Sequence, residues 1–289
     1  MPKTQKRRRK VPVTQAASPA HPAPSGSSSN PAATRSLIRR FHVLLKRRAQ
    51  LQDPIGDTGD AKRALADVER EIEDMGGLGA YQRMSSIGQG KDRGGGSEKV
   101  LIEWLQELGV ASSAQKEKRV LRLLEVGALR PDNYASCASW IQGNPIDLRS
   151  QHPAIAEQDF LLMDEKAYHA RWDVISLSLV LNFVPDAKDR GQMLRLAHSM
   201  LRPDGFLFLV LPLPCLLNSR YLTPEHFHGL VNAIGLAIVY TRWKEGGKMA
   251  YWLLRKSSSN AAERRPDCEA YQKKTVLRQG KRNNFVILL

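Results

Sequence analysis

The sequence predicts an α/β chain built on a doubly wound, mostly parallel β-sheet. Three observations carry that reading. Apolar runs of strand length recur from residue 119 onward, and several are separated by longer segments able to form amphipathic helices. The last two runs are joined by Lys244-Glu245-Gly246-Gly247-Lys248, a short turn that sets them up as an antiparallel hairpin. The runs are Val120–Val126, Asn144–Leu148, Ala154–Phe160, Trp172–Ser178, Gly205–Leu211, Leu236–Trp243 and Met249–Arg255. Between the fourth and fifth, Gly191–Leu201 has helical spacing, and Leu201-Arg202-Pro203-Asp204-Gly205 is a turn into the next strand.

Upstream of the sheet the character changes. Residues 1–33 read as a disordered tail, with a basic cluster at Lys6–Lys10 and then a Pro/Ala/Ser-rich stretch from Ala16 to Ala33 that cannot build a core. Residues 34–118 read as a helical region interrupted by a glycine-rich loop over 76–96. Within it, 34–52 places Leu37, Phe41, Leu44 and Leu45 on one helix face, and 60–75 places Leu65, Val68 and Ile72 on one side before Gly76-Gly77 stops it. Residues 97–108 form a third helix, with Ser97 as cap and Val100, Leu101, Trp104, Leu105 and Leu108 as the apolar face. Residues 119–256 make the sheet domain, and 257–289 a basic C-terminal extension.

Charge follows the same division. The chain of 289 residues has a net charge of +15, with 12 Lys/Arg and no Asp/Glu in residues 1–50, and 8 Lys/Arg against 3 Asp/Glu in 256–289. The remainder, 51–255, is then 15 − 12 − 5 = −2. Basic arms on a neutral body attract a polyanion. No apolar run approaches the roughly 18–20 residues that span a bilayer, and the basic N-terminus lacks the apolar segment of a signal peptide, so the expectation is a protein inside the cell with no membrane contact. Cys137, Cys215 and Cys268 form no Cys-x-x-Cys pair, and the 7 histidines show no ligand spacing, so neither a zinc site nor a disulfide framework is expected.

The chemistry-bearing residues fall at strand ends. Glu125-Val126-Gly127 closes the first strand, and a glycine there lets backbone approach a ligand at the carboxyl edge of a sheet. Asp147 lies 20 positions further on, where a nucleotide-binding sheet places the acid that holds ribose hydroxyls. Gln158-Asp159-Phe160 follows the third strand, and Asp159, with Asp164 as its competitor, is positioned to bind an adenine amino group. After the fourth strand, Ser178, Asn182 and Phe183 should line the acceptor side of the pocket, with Phe183 either stacking on a base or packing in the core. Cys215 reads as pocket wall or core.

The Glu125-Val126-Gly127 turn resembles the first signature of class I S-adenosylmethionine (SAM)-dependent methyltransferases, of which only the first glycine is kept. The Asp/Asn-Pro-Pro-Tyr/Phe motif of adenine-N6 enzymes is absent; Asn182-Phe183-Val184-Pro185 stands in a comparable place. More specifically, the chain resembles the fungal nucleolar family that makes N1-methyladenosine in 25S ribosomal RNA, whose metazoan relatives include a SAM sensor. The residues carrying this are Gly76-Gly77-Leu78, Tyr81-Gln82, Ser85, Gly88-Gln89, Arg93-Gly94-Gly95, Lys99 and Trp104-Leu105. The strand-end motifs above and Gly280–Phe285 add to it. Gly96 departs from the family, where an acid is expected.

The resemblance implies a Rossmann-like class I methyltransferase fold. It implies SAM held through Gly127 and Asp147; by their strand-end positions Glu125, Asp159 and Phe160 are further candidates for SAM, and Ser178 and Asn182 for positioning the acceptor. Tyr81, Gln82 and Gln89, with Phe183, are the candidates for substrate contact; the long glycine-rich segment that carries the first three either closes over donor or base or links the helical region to the sheet domain. The implied setting is the nucleolus, with ribosomal RNA in a pre-60S particle as partner and no metal. A non-catalytic SAM sensor regulating a protein partner is the competing reading. The basic arms weigh against it, because a sensor has little need of a polyanion-binding surface, and they weigh likewise against a small-molecule methyltransferase.

Overall fold

The computed structural model describes residues 59–77, 79, 96–257 and 268–289, together with residues 37, 40, 41, 43–45, 47, 48, 50 and 51. The strands are β1 (Leu121–Val126), β2 (Ile141–Asp147), β3 (Ala156–Glu157), β4 (Trp172–Ser178), β5 (Leu201–Pro212), β6 (Leu236–Arg242) and β7 (Met249–Lys256). They form one sheet in the order β3-β2-β1-β4-β5-β7-β6. β1 to β5 are parallel, and β7 runs antiparallel between β5 and β6. This is the strand order of class I methyltransferases, as the resemblance implies. β2 tolerates Pro145 because β3 pairs only with Ile146 and Asp147, which leaves the earlier part of β2 as an edge.

Helices are α1 (Gly59–Asp74), α2 (Glu98–Glu107), α3 (Val110–Lys116), α4 (Ala187–Met200), α5 (Leu213–Leu217) and α6 (Pro224–Ile234). Alternation along the strands sends side chains to two layers. Leu121 and Leu123 of β1, Val174 of β4, and Phe208 and Val210 of β5 meet Leu101, Trp104 and Leu105 of α2. Leu124, Val126, Ile175, Leu177, Leu209 and Leu211 face the other way, onto α4 and α6.

Three expectations need correction. The segments linking β1 to β4 contain no α-helix, only 3₁₀ turns at Ala135–Cys137 and Phe160–Leu162. Residues such as Pro131, Asp132 and Asn133 favour turns there over helix. α4 starts at Ala187 rather than Gly191, because the Asp186 carboxylate accepts from Lys188 N (2.6 Å) and Asp189 N (3.2 Å) and caps it earlier. Ser97 precedes α2 but its hydroxyl does not cap it.

The two ends differ from a picture of solvated arms. Phe41 and Leu44 pack against Ile72 of α1, with Leu45, Val68 and Met75 around them. Arg40 forks onto Glu71 at 2.5 and 2.7 Å, so part of the basic N-terminal helix face is ion-paired. At the other end, Phe285, Val286, Ile287 and Leu288 are all buried, and Phe285 and Ile287 belong to the main core. At ~1.5–3 kcal/mol per buried apolar side chain, these four contribute about 6 kcal/mol or more. The end of the extension is therefore part of the fold.

Candidate active site

β1 and β4 are adjacent, and the chain leaves them toward opposite edges of the sheet, β1 to β2 and β4 to β5. Such a switch point opens a crevice at the carboxyl edge, where this architecture binds ligands. Two residues there hold left-handed backbone. Gly127 has φ +73°, and a Cβ on it would come within 2.9 Å of Val180 Cγ2. Leu179 has φ 59°, uncommon for a branched side chain, and its N–H donates to Val210 O at 3.0 Å. The backbone N–H groups of Gly127 and Ala128 both donate to Ile146 O (2.9 and 3.0 Å), which ties the turn after β1 to the end of β2. Only glycine fits this turn without strain and without pushing on the β4 loop.

Beside it, the Glu125 carboxylate is half-buried and accepts from Asn133 Nδ2 at 2.7 Å. Burial pushes its pKa up to about 7, Asn133 opposes the rise, and the negative charge of Glu98 adds to it. Tyr134 is buried close by, and its hydroxyl is pushed well above the usual range by burial and by Glu125, against a hydrogen bond with Ser176. Glu125 pairs in register with Ser176 across β1 and β4, so the two share a sheet face. Asn133, Tyr134 and Glu98 were not singled out in the sequence. The first two sit in a turn with no motif, and Glu98 reads as an ordinary first-turn helix acid.

Asp147 ends β2 half-buried, its Oδ1 accepting from Arg149 N at 2.9 Å, which shapes the turn beyond the strand. Asp159 accepts from Leu161 N at 2.9 Å and caps the 3₁₀ turn. Phe160, a candidate for SAM by its position, is buried in the main core, so its ring packs there rather than presenting a face to a ligand. Asp164 caps the next turn through Lys166 N (2.9 Å) and Ala167 N (3.2 Å).

On the acceptor side, Ser178 Oγ and Ser97 Oγ are 2.6 Å apart, joining the end of β4 to the start of α2. Gly96 N donates to Glu98 Oε1 at 3.2 Å. The downstream end of the glycine-rich segment is thus fixed at the carboxyl edge. Tyr81, Gln82, Ser85 and Gln89 lie outside the described residues. Asn182 is 6% exposed, and its Oδ1 has no hydrogen-bond partner. A buried acceptor left unmatched costs about 1–3 kcal/mol, so it marks a place prepared for a donor. Phe183 is half-buried, with its N–H held by Val180 O at 2.9 Å.

The loop carrying Asn182 is fastened from behind. Arg190, 3% exposed, donates to Val184 O (2.8 Å), Pro185 O (3.0 Å) and Val286 O (2.5 Å), and its guanidinium lies 4.6 Å over the Phe285 ring. Burial lowers its pKa to about 10, with the charges of Asp186 and Asp189 among the influences holding it up, so it stays cationic near neutral pH. Arg278 donates likewise to Leu216 O, Leu217 O and Leu222 O after β5, and Ser219 Oγ donates to Phe285 O. Cys215 packs against the main core, half-buried. Among the described residues no group of three His, Cys, Asp or Glu could hold a metal ion, and no helix is long and apolar enough to cross a membrane.

Comparison with known proteins adds to this geometry. The family profile described as "25S rRNA (adenine(2142)-N(1))-methyltransferase, Bmt2" matches residues 66–287. A 25S rRNA adenine-N(1) methyltransferase of Schizosaccharomyces pombe is 35% identical over 257 residues, covering 87% of this chain and 89% of the relative. The 25S rRNA (adenine(2142)-N(1))-methyltransferase of Saccharomyces cerevisiae is 33% identical over 223 residues, covering 76% of this chain and 63% of that longer protein. Solved structures align more distantly. A 16S rRNA (adenine(1408)-N(1))-methyltransferase from Catenulisporales acidiphilia has 14% identity and TM-score 0.36, over 51% of this chain and 89% of that one. A putative sarcosine dimethylglycine methyltransferase from Galdieria sulphuraria has 13% identity and TM-score 0.39, over 54% and 85%.

Proposed function

The chain belongs to the 25S rRNA adenine-N(1)-methyltransferase family, and from that premise we propose that it methylates N1 of an adenine in large-subunit ribosomal RNA at the β1–β4 crevice. The residues present fit SAM. Gly127 leaves space that a Cβ would fill, Asp147 offers a carboxylate at the ribose position, and Glu125 offers one to a cation. SAM supplies a methyl group on a sulfonium, and adenine N1 carries the lone pair that accepts it.

That lone pair needs no deprotonation, so the site requires no strong general base. Its work is placement, exclusion of water and tolerance of the positive charge left on the product base. The Watson–Crick edge of adenine presents N1 as acceptor beside an exocyclic amino donor. The unmatched Asn182 Oδ1 is the single observation that carries this assignment: it suits the amino group and leaves N1 free to react. Ser178, held by Ser97, fixes the strand end from which this loop departs. Phe183 borders the same loop. Tyr81, Gln82 and Gln89 belong to the segment anchored at Gly96, and we assign them to closure over the bound base. A paired target must first be flipped out.

The N-terminal tail and the basic ends suit a role in targeting and phosphate contact, in a nucleolar protein working on a pre-60S particle. Nothing in the crevice favours the sensor reading, and the family relatives bear the names of enzymes. The experiment is nucleoside mass spectrometry of large-subunit rRNA from cells with and without the protein. The expected result is loss of 1-methyladenosine, restored by the wild type. Unchanged 1-methyladenosine after deletion would refute the assignment.

A further inference from the structure

The amino edge of the sheet, opposite the crevice, gathers cations that are scattered in sequence. Arg119 and Arg202 both bind the carboxylate of Asp173, whose side chain is 8% exposed. Arg122 N donates to the other oxygen of the same carboxylate at 2.8 Å. The Arg122 guanidinium lies 5.5 Å from the Trp172 ring, and that of Arg171 lies 5.7 Å from Trp172 and 5.0 Å from Tyr168. Tyr168 and Trp172 are themselves stacked at 6.5 Å. At the next strands, Arg255 pairs with Asp204 at 2.8 Å and Lys256 Nζ donates to Leu201 O at 2.8 Å. Six cations thus meet two paired carboxylates, leaving an excess of 6 − 2 = 4 positive charges. Glu117 and Lys118, which precede Arg119, cancel each other.

These arginines are pre-ordered. Stacking and shared ion pairs hold planar guanidinium groups without using all their donors, and Arg119, Arg202 and Arg255 stay 44%, 39% and 51% exposed. The arrangement suits phosphate oxygens spaced along a nucleic-acid backbone. We propose that this edge is a second RNA-binding surface, which grips the phosphates of a structured rRNA element away from the nucleotide being methylated. A six-residue strand at ~3.3 Å per residue separates it from the crevice by about 20 Å, so a target trinucleotide held in the crevice does not reach it. The proposal rests on the functional reading above, and it places RNA affinity on the folded body, whose net charge in sequence is near zero, as well as on the basic ends.

The test compares wild type, Arg171→Gln/Arg202→Gln and Arg171→Lys/Arg202→Lys. Arg171 makes ring contacts, and Arg119 still neutralises Asp173 when Arg202 is lost, so the fold is kept; SAM calorimetry verifies this. The probes are a structured rRNA fragment containing the target and a three-nucleotide single strand centred on it. For the fragment, removing two phosphate contacts should lower the log–log salt slope by roughly 1.5–2 and weaken binding about 10- to 30-fold near 0.15 M salt. The lysine variant should restore most of the slope, and the short strand should bind all three proteins alike. Equal fragment affinity and salt slope in wild type and the glutamine variant overturn the proposal, and so does equal weakening on the short strand. Methylation by the wild type is scored separately, so a failure of the functional reading shows as no 1-methyladenosine, whatever the salt slope does.

Discussion

Raising the pH from 6 to 8 is expected to tighten SAM binding about tenfold through a single carboxylate. Burial pushes Glu125 up to about 7, with Glu98 adding to the rise and Asn133 opposing it. SAM carries an ammonium and a sulfonium, so on the proposed assignment of Glu125 to SAM it binds with that carboxylate ionised. With a pKa of about 7, roughly one molecule in eleven is ionised at pH 6 and roughly ten in eleven at pH 8, which gives the tenfold ratio. Binding near pH 6.5 should release most of one proton, read by calorimetry in two buffers of different ionisation enthalpy. The free protein has the opposite dependence. Its folded carboxyl sits above the unfolded value of 4.5, so the stability it contributes is complete below about 4.5 and is lost as pH rises through about 7. The loss amounts to about 3 kcal/mol, from ~1.4 kcal/mol per pKa unit. Glu125→Gln should flatten both profiles, weaken SAM at pH 8, and make the free protein more resistant to urea there. Wild-type SAM affinity that stays flat between pH 6 and 8, without proton release, would refute the argument.

Other consequences are open to direct measurement. Gly127→Ala should strain the left-handed turn and press on Val180, and Asp147→Asn should weaken a charge-assisted contact worth about 1.5–3 kcal/mol; both should cost SAM roughly 10- to 100-fold in affinity by calorimetry, with helix and sheet content unchanged. Asn182→Ala should slow single-turnover methyl transfer at saturating SAM about tenfold while leaving the SAM Kd at the wild-type value, and a wild-type rate removes Asn182 from the acceptor site. Tyr81→Ala with Gln82→Ala should lower turnover on the natural RNA more than SAM affinity; the reverse order would place these side chains at the donor. Arg190→Met leaves three carbonyls without their donor and should lower unfolding free energy by about 3 kcal/mol in urea titrations. A change under about 0.5 kcal/mol would mean that the tail and the acceptor loop are held by packing alone.

Most of the strands and their carboxyl-edge landmarks are legible in the local pattern. Apolar runs mark strands through local periodicity, so β1, β4, β6 and β7 appear nearly where the pattern puts them, and Gly127 and Asp147 stand at strand ends that spacing alone locates. The bounds of β2 and β5 were less legible. The predicted runs begin at Asn144 and Gly205, and only pairing with β1 and β4 draws residues 141–143 and 201–204 into strands.

What tertiary structure decided concerns contacts between residues far apart in the chain. Glu125 is pushed up to about 7 because folding buries it and brings the charge of Glu98 near from a helix, against the opposing hydrogen bond of Asn133 from a turn. Ser97 looked like a helix cap, but across 81 positions it found Ser178 instead. The last residues carry charge in their neighbourhood and read as a solvated arm. Folding buries Phe285–Leu288 and recruits Arg190 and Ser219 to fasten them. The amino-edge arginines are separated by up to 136 positions from Arg119 to Arg255, and no periodicity links them. Strand order alone brings them to one edge, because local pattern fixes which residues form a strand but not which strands become neighbours.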